Sequence, residues 1–590
     1  MKRIKNNTYI YLIKSLWLVF SKKRRFQIFI LLFAMILNGV LEVLSIASII
    51  PFLSLLLNPD EIDSIGYMIF LKNLFNISDN NGLITYISIF LFVIIILTTI
   101  IRLLNLRFSN FISARIGIDL SSKIFGKILN TNYITQKLRN SSDLITTNTF
   151  RIEQTILVIN AFLTIISSLI ISSCIFISLL YVSVKISLAT LIIYSSCYYF
   201  LALKNKKRLS KNSEIISQSS SHEVKIIQES FGAIKDIILN NNQAYYENLF
   251  KENLSKLRLK QAENAFLSTY PKFPLESVGI LLICFIGLGL SINKTINTEI
   301  ISILSVFAVG GQKLLPSIQS VYFNWSSIKA RYSDVQKVII FLKNKEEKID
   351  KVKNIKKYNF KNEIILKNIS FSYGDSNYQI LKNINLKIMK GDKIGIIGET
   401  GSGKSTLIDI IMGLIQPSSG TITIDDVELY SKGGFIKSWR KNISHVPQNI
   451  YLLDLSFIEN IAFGIKKDDI NFERVVKCAK KANIDTLIRN SSNGYFTKVG
   501  ERGVKLSGGQ IQRIALARAL YKKSDILFLD EATSALDNKT EDLIINEIKS
   551  LSDVLTIIII AHRITSLKGC NKIFKLKDKI LKEIDLEKLF

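Results

Sequence analysis

Six stretches of this chain are apolar for long enough to cross a lipid bilayer, and they restrict what it can fold into more than any other feature. A helix needs about 20 mainly apolar residues to traverse the hydrocarbon. Residues 26–57, 83–106, 156–182, 186–204, 275–292 and 298–320 have that character. Backbone polar groups find no water there, so each stretch is predicted to be helical. The third and fourth follow with almost no loop, whereas residues 107–155 and 205–274 form two long polar connections. Charge sets the direction. Lys2, Arg3, Lys5, Lys22, Lys23, Arg24 and Arg25 precede the first stretch, and the loop 58–82 sets Lys72 against Asp60, Glu61, Asp63 and Asp79. Basic residues stay on the cytoplasmic side, which places the N-terminus and both long connections there. The net charge of +29, from 77 basic and 48 acidic residues, therefore follows topology and the anionic inner leaflet. No nucleic-acid partner is needed to explain it.

The long connections repeat apolar residues at intervals of three and four and are predicted to continue the spans as helical rods. Within the loop 58–82, Met68, Leu71 and Phe75 share one helical face opposite Lys72, which suits either an interfacial helix or loop packing. The five cysteines show no metal spacing, and no cleavable signal peptide is expected at the N-terminus. Residues 341–362 are nearly all charged or asparagine and read as a linker between a membrane domain, 1–340, and a soluble α/β domain, 363–590.

The second domain carries a nucleotide motif. After the strand-like "KIGIIG" comes Gly398, Glu399, Thr400, Gly401, Ser402, Gly403, Lys404, Ser405, Thr406, which fits G-x-x-x-x-G-K-[ST] over Gly398–Ser405. Glycines let the backbone amides surround phosphate oxygens, the lysine reaches the β- and γ-phosphates, and the serine hydroxyl binds Mg²⁺. A helix opening there adds its positive end. Further on, the apolar "DILFLDE" delivers Asp530 and Glu531. A buried strand ending in two carboxylates suits a metal ligand, Asp530, beside a base for the attacking water, Glu531.

Leu506, Ser507, Gly508, Gly509 and Gln510 spell LSGGQ. On these residues and the phosphate loop the chain resembles the ATP-binding cassette (ABC) transporters along its whole length. The resemblance implies a polytopic α-helical membrane domain of six helices with long cytoplasmic extensions, followed by an α/β P-loop motor. It implies ATP and Mg²⁺ as cofactors, and roles for matching residues. Tyr373 stacks on adenine, Gln448 joins Mg²⁺ to the membrane domain, Glu501 touches that domain, Asp537 closes a loop, and His562 senses the γ-phosphate. His222 and His445 are expected to be ordinary polar residues. In this family ATP lies between one motor's phosphate loop and another's signature. One copy of each therefore implies a half-transporter working as a dimer, most simply with a second copy of itself.

The membrane segments "ILNGVLEVLSIASIIPFLSLLLNPD", "GYMIFLKNLFNIS", "YPKFPLESVGI" and "QKLLPSIQS" are similar to PglK-type flippases. That likeness implies a bacterial cytoplasmic-membrane flippase for a diphosphate-linked oligosaccharide lipid. Arg102, Lys272 and Lys313 lie on three different spans, where charges tend to face a cavity or pair. They could hold a diphosphate. Alternatively Arg102 pairs with Glu42, and Lys272 snorkels to the inner interface. The competing reading within the family is an exporter of a drug, lipid or peptide. Six spans exclude a soluble ATPase of repair or translation, and the intact hydrolytic residues argue against a channel.

Overall fold

The computed structural model describes residues 9–48, 52, 80–292, 298–344, 355–374, 378–431, 434–531, 555–561, 567 and 569–585. They form two compact units, residues 1–131 with 138–346 and residues 132–137 with 347–590.

The first unit is helical, and the described part of each apolar stretch lies on a helix, apart from its terminal residues. The six helices are Lys22–Ala47, Asn80–Asn130, Ile152–Val182, Val184–Gly232, Lys272–Ile292 and Thr298–Ala330. Among the described residues, four segments are long and apolar enough to span a membrane: Lys22–Ala47, Ile84–Asn130, Ser141–Val182 and Val184–Gly232. Most of residues 49–57, the end of the first expected span, and the loop bearing Met68, Leu71, Lys72 and Phe75 lie outside the described residues. The two long rods have 51 and 49 residues. At 1.5 Å per residue each is about 75 Å long, more than twice the hydrocarbon thickness, so both extend well beyond the bilayer.

Local chemistry sets the breaks. Ser21 caps the first long helix by accepting from Arg24 N, and the extended Ser183 alone separates the third span from the fourth. Pro316 inside the last span supplies no amide for the carbonyl one turn earlier, and Ser317 Oγ donates to Lys313 O at 3.2 Å. Leu31, Met35, Ile116, Val158, Ile159 and Ile339 lie in one buried cluster that joins three of these helices to the helix Tyr332–Lys343. Gly117 permits that closeness, since a Cβ there would sit 2.2 Å from Ile156 Cδ1. Phe90, Phe92, Ile192 and Phe285 remain exposed on the spans, as lipid-facing residues do.

Beyond the spans sits a buried charge knot. A π-helical stretch, Thr147–Arg151, interrupts the helix leading into the third span. Arg151 is 2% exposed and donates to Asp143 Oδ1, Thr147 Oγ1 and Ser221 Oγ, each at 2.6 Å. Its Nε lies 3.8 Å from Asp334 Oδ1, too far for a hydrogen bond, and both atoms are buried. Burial raises the Asp334 carboxyl above its ordinary range, against the pull of Ser217 and of Arg151, Lys337 and Arg331.

The second unit is α/β. Its strands are β1 (Glu363–Ser372), β2 (Gln379–Met389), β3 (Lys393–Ile397), β4 (Ser419–Ile424), β5 (Val427–Glu428), β6 (Ile443–Val446), β7 (Ile526–Asp530), β8 (Thr556–Ile560), β9 (Lys572–Lys577) and β10 (Ile580–Ile584). One sheet has the order β2-β1-β4-β5, with antiparallel neighbours throughout. The other runs β10-β9-β3-β8-β7-β6, parallel except for β10. β7 is buried at every position, as a central parallel strand covered on both faces must be. Two large apolar cores lie in the unit, one around Ile394, Leu407, Ile411 and Trp439, the other around Val475, Ala479, Ile514 and Leu527, with a smaller cluster at Leu567, Cys570 and Ile573. Ile134, from the short piece of chain that groups with this unit, packs against the first core. The linker begins later than its composition suggests, because the helix Tyr332–Lys343 reaches into it.

Candidate functional site

The parallel sheet builds the site at the C-terminal ends of β3 and β7. The loop after β3 turns through Gly401 and Gly403, at φ +83° and +104°, into the helix Lys404–Ile411. Those angles favour glycine. At Gly398 a Cβ would lie 2.5 Å from Leu576 O, so a side chain would not fit there. Lys404 is buried, and its Nζ donates to the loop's own carbonyls, Gly398 O at 2.7 Å and Glu399 O at 2.9 Å. Burial lowers this ammonium, while Glu531 and Asp530 raise it, which places both carboxylates within its field. Ser402 Oγ is buried with no partner among the described residues. Ser405 and Thr406 fall in the helix's first turn, and Tyr373 Oη lies 3.5 Å from Thr406 Oγ1.

At the end of β7, Asp530 is buried and Glu531 adopts φ +49°, a conformation few non-glycine residues hold. The bond from Glu531 N to Ile560 O, 3.1 Å, fixes that turn. Gln448 Nε2 donates to Glu531 Oε2 at 2.8 Å. The sequence pattern thus brings Lys404, Gln448, Asp530 and Glu531 into one neighbourhood. Its oxygens suit Mg²⁺: a serine hydroxyl, one carboxylate and an amide are hard ligands that leave places for phosphate and water. Among the described residues no group of three or more His, Cys, Asp or Glu gathers to hold a metal alone. The loop therefore fits a nucleotide phosphate chain with its Mg²⁺. When bound, that pair supplies the phosphoryl centre and neutralises its charge.

LSGGQ opens the helix Gly508–Tyr521. Ser507 and Gln510 form a reciprocal cap, Ser507 N donating to Gln510 Oε1 at 2.9 Å and Gln510 N to Ser507 Oγ at 3.3 Å. Leu506 and Ile511 pack on the second core, whereas the phosphate-loop helix packs on the first. Glu501 is exposed. His445 sits inside, and burial pushes its imidazole down to about 4, which leaves it neutral. Asp537 and His562 lie outside the described residues.

Sequence reasoning missed the segment 132–137. Lys137 Nζ lies 5.6 Å from the Tyr373 ring centroid, and burial pushes Asp409, which feels Lys137, up to about 6. Nothing in the composition or spacing of "NYITQK" marks it.

In the membrane unit the three cations differ. Lys313 Nζ pairs with Glu42 Oε2 at 2.9 Å and donates to Ser45 Oγ at 2.7 Å. Glu42 is thus paired with Lys313, on the last span, and the alternative of Arg102 as its partner is not what the fold adopts. Arg102 is exposed. Lys272 lies 3.8 Å from Glu276 Oε1, one turn along its own helix. It lines a cavity of about 280 Å³ with Tyr198, Ser268, Gln319 and Tyr322, and neither Arg102 nor Lys313 borders that space. The Tyr198 hydroxyl is buried there without a partner among the described residues.

Comparison with known proteins places both units. Residues 28–312 match the ABC transporter transmembrane region, and residues 381–534 match the ABC transporter domain. The chain is 35% identical over 276 residues to ABC transporter B family member 29, chloroplastic, of Arabidopsis thaliana, covering 47% of this chain and 43% of that protein. It is 28% identical over 396 residues to the ATP-dependent lipid A-core flippase of Francisella tularensis subsp. holarctica, covering 66% and 63%. A flippase of the same name from Cupriavidus pinatubonensis is 23% identical, with 78% of each chain covered. In fold it is similar to a bacterial Atm1-family ABC exporter solved with ATP bound, at a TM-score of 0.78, 19% identity and 96% coverage of both chains.

Proposed function

This chain belongs to the ABC transporters, with the family's membrane region and motor on one polypeptide, and on that premise we propose that two copies use ATP to move an anionic lipid-linked glycan across a bacterial cytoplasmic membrane. The observation carrying the ATPase is the cluster of Lys404, Gln448, Asp530 and Glu531 beyond the C-terminal ends of β3, β6 and β7 in one parallel sheet. In this reading Lys404 and the loop amides hold the phosphates and Ser405 and Asp530 the Mg²⁺. Glu531 takes a proton from the attacking water at its carboxylate, and Gln448 orients it. Tyr373 carries the adenine, and His562 and Asp537 complete the site. A second copy's Leu506–Gln510 closes it over the γ-phosphate, consistent with a signature built on a different core from its own phosphate loop.

For the substrate, the relatives named lipid A-core flippases support a lipid. The finer reading, a diphosphate-linked oligosaccharide, rests on the likeness to PglK-type flippases and on the cations Lys272, Arg102 and Lys313. Lys272 is half exposed, loosely countered by Glu276, and beside hydroxyl and amide groups suited to sugar. The test is ATPase stimulation in reconstituted protein. A diphosphate-linked lipid should stimulate turnover, and a neutral lipid of the same tail should not. Lys272→Met should raise the half-maximal lipid concentration about tenfold, the equivalent of one charge-assisted contact. Equal stimulation by the neutral lipid would favour a general exporter of drugs, lipids or peptides.

A further inference from the structure

The ion pair inside the membrane unit is asymmetric in a way that bears on selectivity. Glu42 is 7% exposed at its side chain and Lys313 35%, so the carboxylate is deep while the lysine side chain that reaches it is partly accessible. Two donor sites on Lys313 are used, by Glu42 Oε2 and Ser45 Oγ, and a third N–H remains beyond those contacts. Ser45 can accept from the ammonium because its own proton goes to Glu42 O at 2.8 Å. One turn earlier on the same helix, Asn38 is 1% exposed with its Oδ1 unpartnered among the described residues. Glu42 therefore has one strong partner in a poorly satisfied surround, and removing that partner leaves a buried charge uncompensated.

We infer that Glu42 is a specificity-determining residue: it is a built-in counter-ion that Lys313 surrenders only to a ligand group carrying more than one negative charge. A single anionic oxygen pair offers Lys313 no more than Glu42 already does, and strands the glutamate. A diphosphate concentrates several charges within reach of one ammonium and recruits its remaining N–H. Threshold selection of this kind distinguishes a dianionic head from a monoanionic one without any shape-reading pocket. The inference rests on the proposed anionic-lipid substrate and adds the residue that grades the charge.

The test compares lipid-stimulated ATPase of the reconstituted protein with three ligands: a diphosphate-linked lipid, a monophosphate lipid of the same tail whose single phosphate is a diester and so carries one charge, and inorganic diphosphate in solution. Wild type should respond to the diphosphate lipid at a half-maximal concentration at least about tenfold below that for the monophosphate lipid, with little response to inorganic diphosphate. Glu42→Gln should bring the two lipids within about threefold of each other, by improving the monophosphate response. Glu42→Asp, which keeps the charge, should preserve discrimination. The double variant Glu42→Gln with Lys313→Met, free of any stranded charge, should lose it even if Glu42→Gln alone folds poorly. Unchanged discrimination in Glu42→Gln and in the double variant overturns the inference and leaves the pair as a structural clamp. An equal response to inorganic diphosphate overturns it too, because the lipid would then be incidental. A wild type that no anionic lipid stimulates overturns the underlying substrate reading, and the charge threshold with it.

Discussion

Glu531→Gln is expected to cut ATP turnover by about a hundredfold or more, within the usual contribution of a positioned general base, while nucleotide still binds. β7 is buried along its whole length, and the backbone turns at φ +49° immediately after Asp530. That turn presents the carboxylate beside Gln448, 2.8 Å away, within the field of Lys404. Glutamine keeps the size and the hydrogen bond but cannot take a proton. The variant should therefore bind ATP as wild type does and accumulate as an ATP-bound dimer. Phosphate release and sedimentation of the purified protein measure both. Near-normal turnover would remove Glu531 from the role of base.

The second large effect concerns stability. Arg151→Met should cost about 3–5 kcal/mol, the usual loss when one partner of a buried charge network is removed. Arg151 binds Asp143, Thr147 and Ser221 and faces the buried Asp334 across 3.8 Å, so methionine removes the hydrogen bonds to the first three and takes a buried cation away from a buried carboxylate. Lys337 and Arg331 still face Asp334, which holds the loss nearer the lower bound. The sign with pH follows from burial. Asp334 titrates above its unfolded value, so the folded state favours its protonated form, and any stability from that preference is lost as pH rises through the folded value. Without Arg151 the shift grows. The variant's deficit in melting temperature should thus shrink as pH falls from neutral toward the acid side. A deficit independent of pH, or none, would mean that the knot contributes little.

Much of this was legible from residues alone, for identifiable reasons. Span length is set by bilayer thickness, so six apolar runs announce six helices wherever they lie. The phosphate loop is legible because its glycines answer local needs, positive φ at Gly401 and Gly403 and a close approach at Gly398. Partnerships between distant helices are another matter. Glu42 was weighed as a partner for Arg102, and Lys313 takes it, because which spans are neighbours depends on packing that one sequence does not order. Lys272 with Glu276 was within reach, being one helical turn apart. The grouping of residues 132–137 with the motor leaves no local periodicity, and Arg151 looked like one more basic residue in a polar connection.

The central claim, ATP-driven movement of an anionic lipid, is tested most directly in proteoliposomes holding a fluorescent diphosphate-linked lipid, with quencher added outside. Wild type with Mg²⁺ and ATP should carry the lipid between leaflets at a rate that depends on ATP, and Glu531→Gln should carry almost none. Translocation that proceeds equally without ATP, or equally in Glu531→Gln, would contradict the account.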